Sequence, residues 1–173
     1  MAEAAEAVET ADSRTGPLVV ARDVAVPLVV LALDQLTKAW VRAELTMGDP
    51  VPVLGDNVRL LYIENEGAAF GLSVGPHSSM IFLVLAAIAS AIVLFLYLRT
   101  PAGHGLERLA LGLILGGAVG NIVDRIRWER VVDFIQVGVA EHYWPIFNVA
   151  DSAVTVGAIT LAYTYLFHHD GNR

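Results

Sequence analysis

Residues 24–42, 79–98, 106–126 and 146–167 are apolar over lengths close to the about 20 residues that a helix needs to cross a bilayer. The pattern predicts four spanning helices, which puts both chain ends on one side of the membrane. Residues 99–105 make a short turn, because Pro101, Gly103 and Gly105 interrupt the apolar run. Residues 43–78 form a longer connection carrying Pro50, Pro52, Gly55, Gly67, Gly71, Gly75 and Pro76. Within it, residues 58–63 are rich in β-formers and Glu64-Asn65-Glu66-Gly67 reads as a turn, so a small sheet on the membrane face is expected. Val131–Val139 offers a further strand. Residues 1–16 are rich in Ala and Glu with no early basic cluster, and read as a disordered acidic tail ahead of a membrane domain over 17–173.

Composition supports the same class. With 55% hydrophobic and only 17% charged residues, the chain lies outside the soluble range of about 25% charged. Cysteine is absent, which removes disulfides, thiolate metal sites and cysteine nucleophiles. His77, His104, His142, His168 and His169 fall near helix ends or in loops, and no HExxH occurs, so neither a metal nor another cofactor is expected. A net charge of −7 argues against nucleic acid as a partner. Orientation is not decided by charge. Arg14, Arg22, Arg99, Arg108 and Arg173 lie on the terminal side, against Lys38, Arg42, Arg59, Arg125, Arg127 and Arg130 on the other.

Candidate chemistry comes from polar residues inside the apolar runs. A charged side chain near the bilayer centre costs roughly 2.5–3.5 kcal/mol on insertion scales, so such residues need partners or a task. Asn121, Asp124 and Arg125 share one face of the third helix at i, i+3, i+4, and Asn148, Asp151 and Ser152 repeat the spacing on the fourth. A rise of about 1.5 Å per residue puts Asp124 roughly 3–5 Å and Asp151 roughly 7–8 Å inside their helix ends, at similar depth near one surface. Two close carboxylates in a low dielectric tend to share a proton, leaving one as base and one as acid, which suits amide hydrolysis by an activated water. The alternative is that Asp124 pairs with Arg125 or Arg127 while Asp151 caps its helix. Gly112, Gly116 and Gly120 form a small-residue ridge that reads as helix packing. On the first helix Asp34 and Lys38 stand at i, i+4 and suit an ion pair, either structural or part of a substrate site. Lys38 is the chain's one lysine beside ten arginines, a choice that favours a compact ammonium at that point.

A small four-helix transporter or proton-conducting channel is the competing reading. It fits less well, because the second span, from Met80 to Tyr97, carries no ionisable group except tyrosine.

The motifs DQLTK at 34–38, ENEGAAF at 64–70, GGAVGNIVDR ending at Arg125, VVDF at 131–134 and FNVADS ending at Ser152 occur in this order. Together they resemble the lipoprotein signal peptidase family, the signal peptidase II group of bacterial intramembrane aspartic proteases. The resemblance implies an all-α membrane protein of four transmembrane helices with a small extracytoplasmic β-cradle. It implies Asp124 and Asp151 as the catalytic dyad, with Asp34, Lys38, Asn65, Gly67, Asn121, Arg125 and Asn148 as substrate-binding or orienting residues. Asp133 would organise the loop rather than the chemistry. The implied substrate is a diacylglycerol-modified prolipoprotein cut just before its lipidated cysteine, and the implied inhibitor is globomycin. The termini would be cytoplasmic and the dyad near the outer leaflet of the bacterial cell membrane. ENEGAAF would cover the pocket, while Phe70 and Trp144 read as interfacial anchors.

Overall fold

The computed structural model describes residues 17–66 and 77–167, with side chains from Val24 onward. Four helices are long and apolar enough to span a membrane. They are α1 (Pro17–Glu44), α2 (Ser78–Arg99), α3 (Gly105–Trp128) and α4 (Val149–Phe167). Four antiparallel strands form one sheet in chain order: β1 (Val51–Leu54), β2 (Val58–Asn65), β3 (Val131–Val139) and β4 (His142–Tyr143). The tail, Gly67 and Phe70 lie outside the described residues.

α3 packs against all three other helices because its glycines let backbones meet. A Cβ on Gly116 would stand 2.7 Å from the Pro27 carbonyl oxygen of α1, and one on Gly117 would stand 2.4 Å from that of Ala150 in α4. The expected ridge is therefore a packing seam, and Gly117 extends it to a second neighbour. α1 turns Val30, Asp34, Lys38 and Val41, a stripe at i, i+4, i+8 and i+11, into the interior. Its opposite side exposes Leu28, Leu33, Leu36 and Trp40.

Two elements differ from expectation. β1 went unforeseen, since Pro50 and Pro52 argue against a strand; as an exposed edge strand it tolerates the missing N–H. β2 continues through Asn65, where a turn was expected at Glu64, because Glu64 and Asn65 pair with Val132 and Val131. Beside this end of β2, Glu129 takes a left-handed conformation (φ 58°) and reverses the chain from α3 into β3. Alternation along β3 sends Val132 and Phe134 into a core with Val41 and Tyr62, and Asp133 to the other face.

Candidate active site

The site forms where α1, α3 and α4 end under the sheet. β3 hydrogen-bonds back to the segment before α4: the Phe134 and Ile135 N–H groups donate to the Phe147 carbonyl at 3.0 and 2.8 Å, and the Phe147 N–H donates to Ile135 at 3.0 Å. This strand-like docking brings Asn148 against Asp133. Asn148 is the N-cap of α4, its Oδ1 accepting from the Asp151 N–H at 2.9 Å while Asp151 Oδ2 accepts from the Asn148 N–H at 3.2 Å. The pair is a reciprocal capping box. Asp151 thus lies in the first turn of α4 rather than 7–8 Å inside it, because the helix begins at Val149 and not at residue 146.

A cavity of about 760 Å³ opens beside these residues. Asn65, Asn121, Arg125, Asp133, Asp151 and Ser152 give it a polar end, while Ala86, Ala118, Val154 and Val156 continue it as an apolar cleft among α2, α3 and α4. Trp144 also lines it and stays largely exposed. Among the described residues, the carboxylates on this cavity are Asp133 and Asp151. Asn148 joins them, donating from Nδ2 to Asp133 Oδ1 at 2.7 Å while capped by Asp151. Asn65 donates to Asp133 Oδ2 at 3.0 Å, and Asn121 to Asp151 Oδ1 at 2.8 Å. Burial, reinforced by the neighbouring Asp151 charge and opposed by the Asn65 hydrogen bond, pushes the Asp133 carboxyl up to about 6.

Asp124 does not face this cavity, which corrects the expectation that it shares a proton with Asp151. It is fully buried, with Oδ2 3.0 Å from Lys38 Nζ and 3.3 Å from the Val132 N–H, and with Gln35 donating to Oδ1 at 3.0 Å. The physical reason is the return of the chain: β3 folds over the end of α3 and seals Asp124 beneath Val132. Nor does Asp124 pair with Arg125 or Arg127. The expected Asp34–Lys38 ion pair forms at 2.9 Å, and both residues are buried behind the cavity, so they support the site without lining it. Asp34 Oδ1 also accepts from the Ala150 N–H at 3.0 Å, adding negative charge at the N-terminus of α4. Asn65, Asn121 and Arg125 line the cavity as expected, whereas Asn148 lies buried between the carboxylates.

Sequence reasoning gave no role to Gln35, which bridges Asp34 and Asp124 from within the DQLTK motif, and gave Asp133 a loop-organising role only. Asp133 carried a usable signal: a carboxylate in the apolar strand VVDFI demands the same explanation as one in an apolar helix.

The chain matches the family model for signal peptidase (SPase) II over residues 26–167. It is 40% identical over 147 residues to a protein named lipoprotein signal peptidase from Desulforapulum autotrophicum, covering 83% of this chain and 90% of that one. The counterpart from Xylella fastidiosa is 42% identical over 142 residues, covering 81% and 85%. A bacterial membrane enzyme solved by the in meso method at 2.3 Å superposes with a TM-score of 0.79 at 26% identity, over 88% of this chain and 92% of that one. A second such enzyme, at 1.9 Å, gives 0.76 at 27% identity, over 85% and 94%. A match spanning four helices, the sheet and every polar motif places this chain in the signal peptidase II family of peptidases.

Proposed function

We propose that this chain is a multi-pass bacterial membrane peptidase that removes signal peptides from prolipoproteins, with Asp133 and Asp151 as its catalytic carboxylates. The observation that carries the assignment is that these two line the cavity and are joined through Asn148, while Asp34 and Asp124 are buried around Lys38. Asp133, whose protonation point is lifted to about 6, holds the shared proton and hydrogen-bonds the scissile carbonyl oxygen. Asp151 takes a proton from water as the water oxygen bonds the carbonyl carbon, and Asp133 protonates the forming alkoxide. Asp151 then returns its proton to the leaving nitrogen as the C–N bond breaks. Collapse of the diol restores the proton to Asp133. Asn65, Asn121 and Arg125 orient the carboxylates and the substrate backbone.

The cleft's mixed lining supports a substrate that keeps lipid chains and an apolar signal segment in the bilayer while its scissile bond reaches the polar end. That fits a diacylglycerol-modified prolipoprotein cut before its lipidated cysteine, with the termini cytoplasmic and the carboxylates at the outer leaflet. A globomycin-type cyclic peptide would occupy the same cavity.

The test is gel-shift cleavage of a diacylglyceryl prolipoprotein by the detergent-solubilised protein and three variants. Asp133→Asn and Asp151→Asn are expected to lose turnover while remaining folded, whereas Asp124→Asn retains measurable cleavage, since Asp34 and Asn121 still hold Lys38. Full activity in Asp133→Asn with none in a folded Asp124→Asn would return Asp124 to the dyad.

A further inference from the structure

Lys38 is 1% exposed, and its three N–H donors have three partners: Asp34 Oδ2 at 2.9 Å, Asp124 Oδ2 at 3.0 Å and Asn121 Oδ1 at 2.9 Å. An ammonium donates and never accepts, so it fixes which end of the Asn121 amide faces it. With Oδ1 turned to Lys38, Nδ2 is turned to Asp151 Oδ1, 2.8 Å away. Asn148 does not need this instruction. Backbone groups set its polarity, with Oδ1 accepting from the Asp151 N–H at 2.9 Å and Nδ2 donating to the Val132 carbonyl at 3.2 Å. Among the described residues, the Asn121 side chain has no such backbone contact. Its partners are Lys38, Asn148 Nδ2 at 3.2 Å and Asp151, and only Lys38 is a cation.

We propose that Lys38 is a positioning residue that acts through Asn121: it locks and polarises that amide so that Asp151 always receives a donor. Asp34 and Asp124 serve to hold the ammonium in place, with Gln35 spanning them at 3.1 and 3.0 Å. This rests on Asp151 being a catalytic carboxylate. It explains why a lysine stands there. A guanidinium is planar and forked, whereas this corner needs three donors from one atom.

The charged groups around Asp151 are Asp34 and Lys38 on α1, Asp124 and Arg125 on α3, and Asp133 on β3. The test therefore neutralises the triad without leaving a bare buried charge: Lys38→Met with Asp34→Asn and Asp124→Asn, in the full chain in detergent. On a diacylglyceryl prolipoprotein, kcat is expected to fall on the order of tenfold or more with KM within about twofold, and the acid limb of the pH–rate profile moves to higher pH. With Asn121→Ala already present, neutralising the triad causes no further fall. Unchanged kcat and pH profile in a folded triple variant, or losses that multiply with those of Asn121→Ala, overturn the proposal. If the triple variant does not fold, Asn121→Ala alone decides: it must show the same kcat loss and profile shift, and wild-type behaviour overturns the role of Lys38. Wild-type cleavage by Asp151→Asn is a different result, since it removes the catalytic assignment itself.

Discussion

Replacing Asp133 by asparagine is expected to make the protein more stable at neutral and alkaline pH while abolishing cleavage. The carboxyl's protonation point rises from the ordinary 3.8 to about 6 on folding, chiefly because the side chain is 3% exposed. That preference for the protonated form is worth about 3 kcal/mol at about 1.4 kcal/mol per pH unit. The folded chain binds the proton more tightly than the unfolded one. Stability from this group is therefore complete below about pH 4, declines as pH rises, and is lost above about pH 6. Asparagine, like the protonated carboxyl, is uncharged; its oxygen keeps the hydrogen bond from the Asn148 amide, and its own amide is satisfied once the Asn65 side chain turns its oxygen toward it, so the variant matches wild type near pH 4. The two then diverge by about 3 kcal/mol at pH 8, which corresponds to roughly 6–12 °C in midpoint for a chain of this size. Tryptophan fluorescence during heating in detergent, read across pH 4–8, measures the difference directly. Parallel curves at every pH, or a variant that is less stable at pH 8, would refute the burial argument.

Three further outcomes follow from the packing and the network. Asn148→Ala is expected to lose at least about 1 kcal/mol as the α4 cap disappears, and to lose cleavage; Asn148→Ser restores the melting midpoint but not kcat, since a serine hydroxyl caps yet does not bridge to Asp133. Gly117→Ala is expected to cost about 1–3 kcal/mol or block folding, because its Cβ meets the Ala150 backbone carbonyl and no rotamer relieves the clash. An unchanged melt would show that α3 and α4 can separate freely. Asp34→Ala, which leaves Lys38 short of one anion and the Ala150 N–H uncapped, is expected to cost about 3 kcal/mol, with Asp34→Asn milder because its oxygen can still accept from the Ala150 N–H; equal midpoints for the two would show that this hydrogen bond contributes nothing.

Much of this protein was determined by sequence alone. The four apolar runs marked the spanning helices, three of them to within three residues and the first seven residues short of its start at Pro17, since a backbone in lipid must satisfy its own hydrogen bonds and a helix does so locally. Richness in β-formers marked β2, residues 131–139 offered β3, and the glycine ridge marked the seam of α3, because small residues are needed wherever two backbones meet. Local spacing also gave the Asp34–Lys38 pair, which lies within one helix. Which carboxylates face the cavity was decided only by tertiary structure. Spacing along helices made Asp124 and Asp151 look like equivalent partners, yet β3 closing over the end of α3 buries Asp124 against Lys38. The same closure, with the docking of Phe147 on Ile135, sets Asp133 beside Asn148 and Asp151. Contacts among α1, α3, β3 and the cap of α4 join residues up to 116 positions apart, and no local period records them.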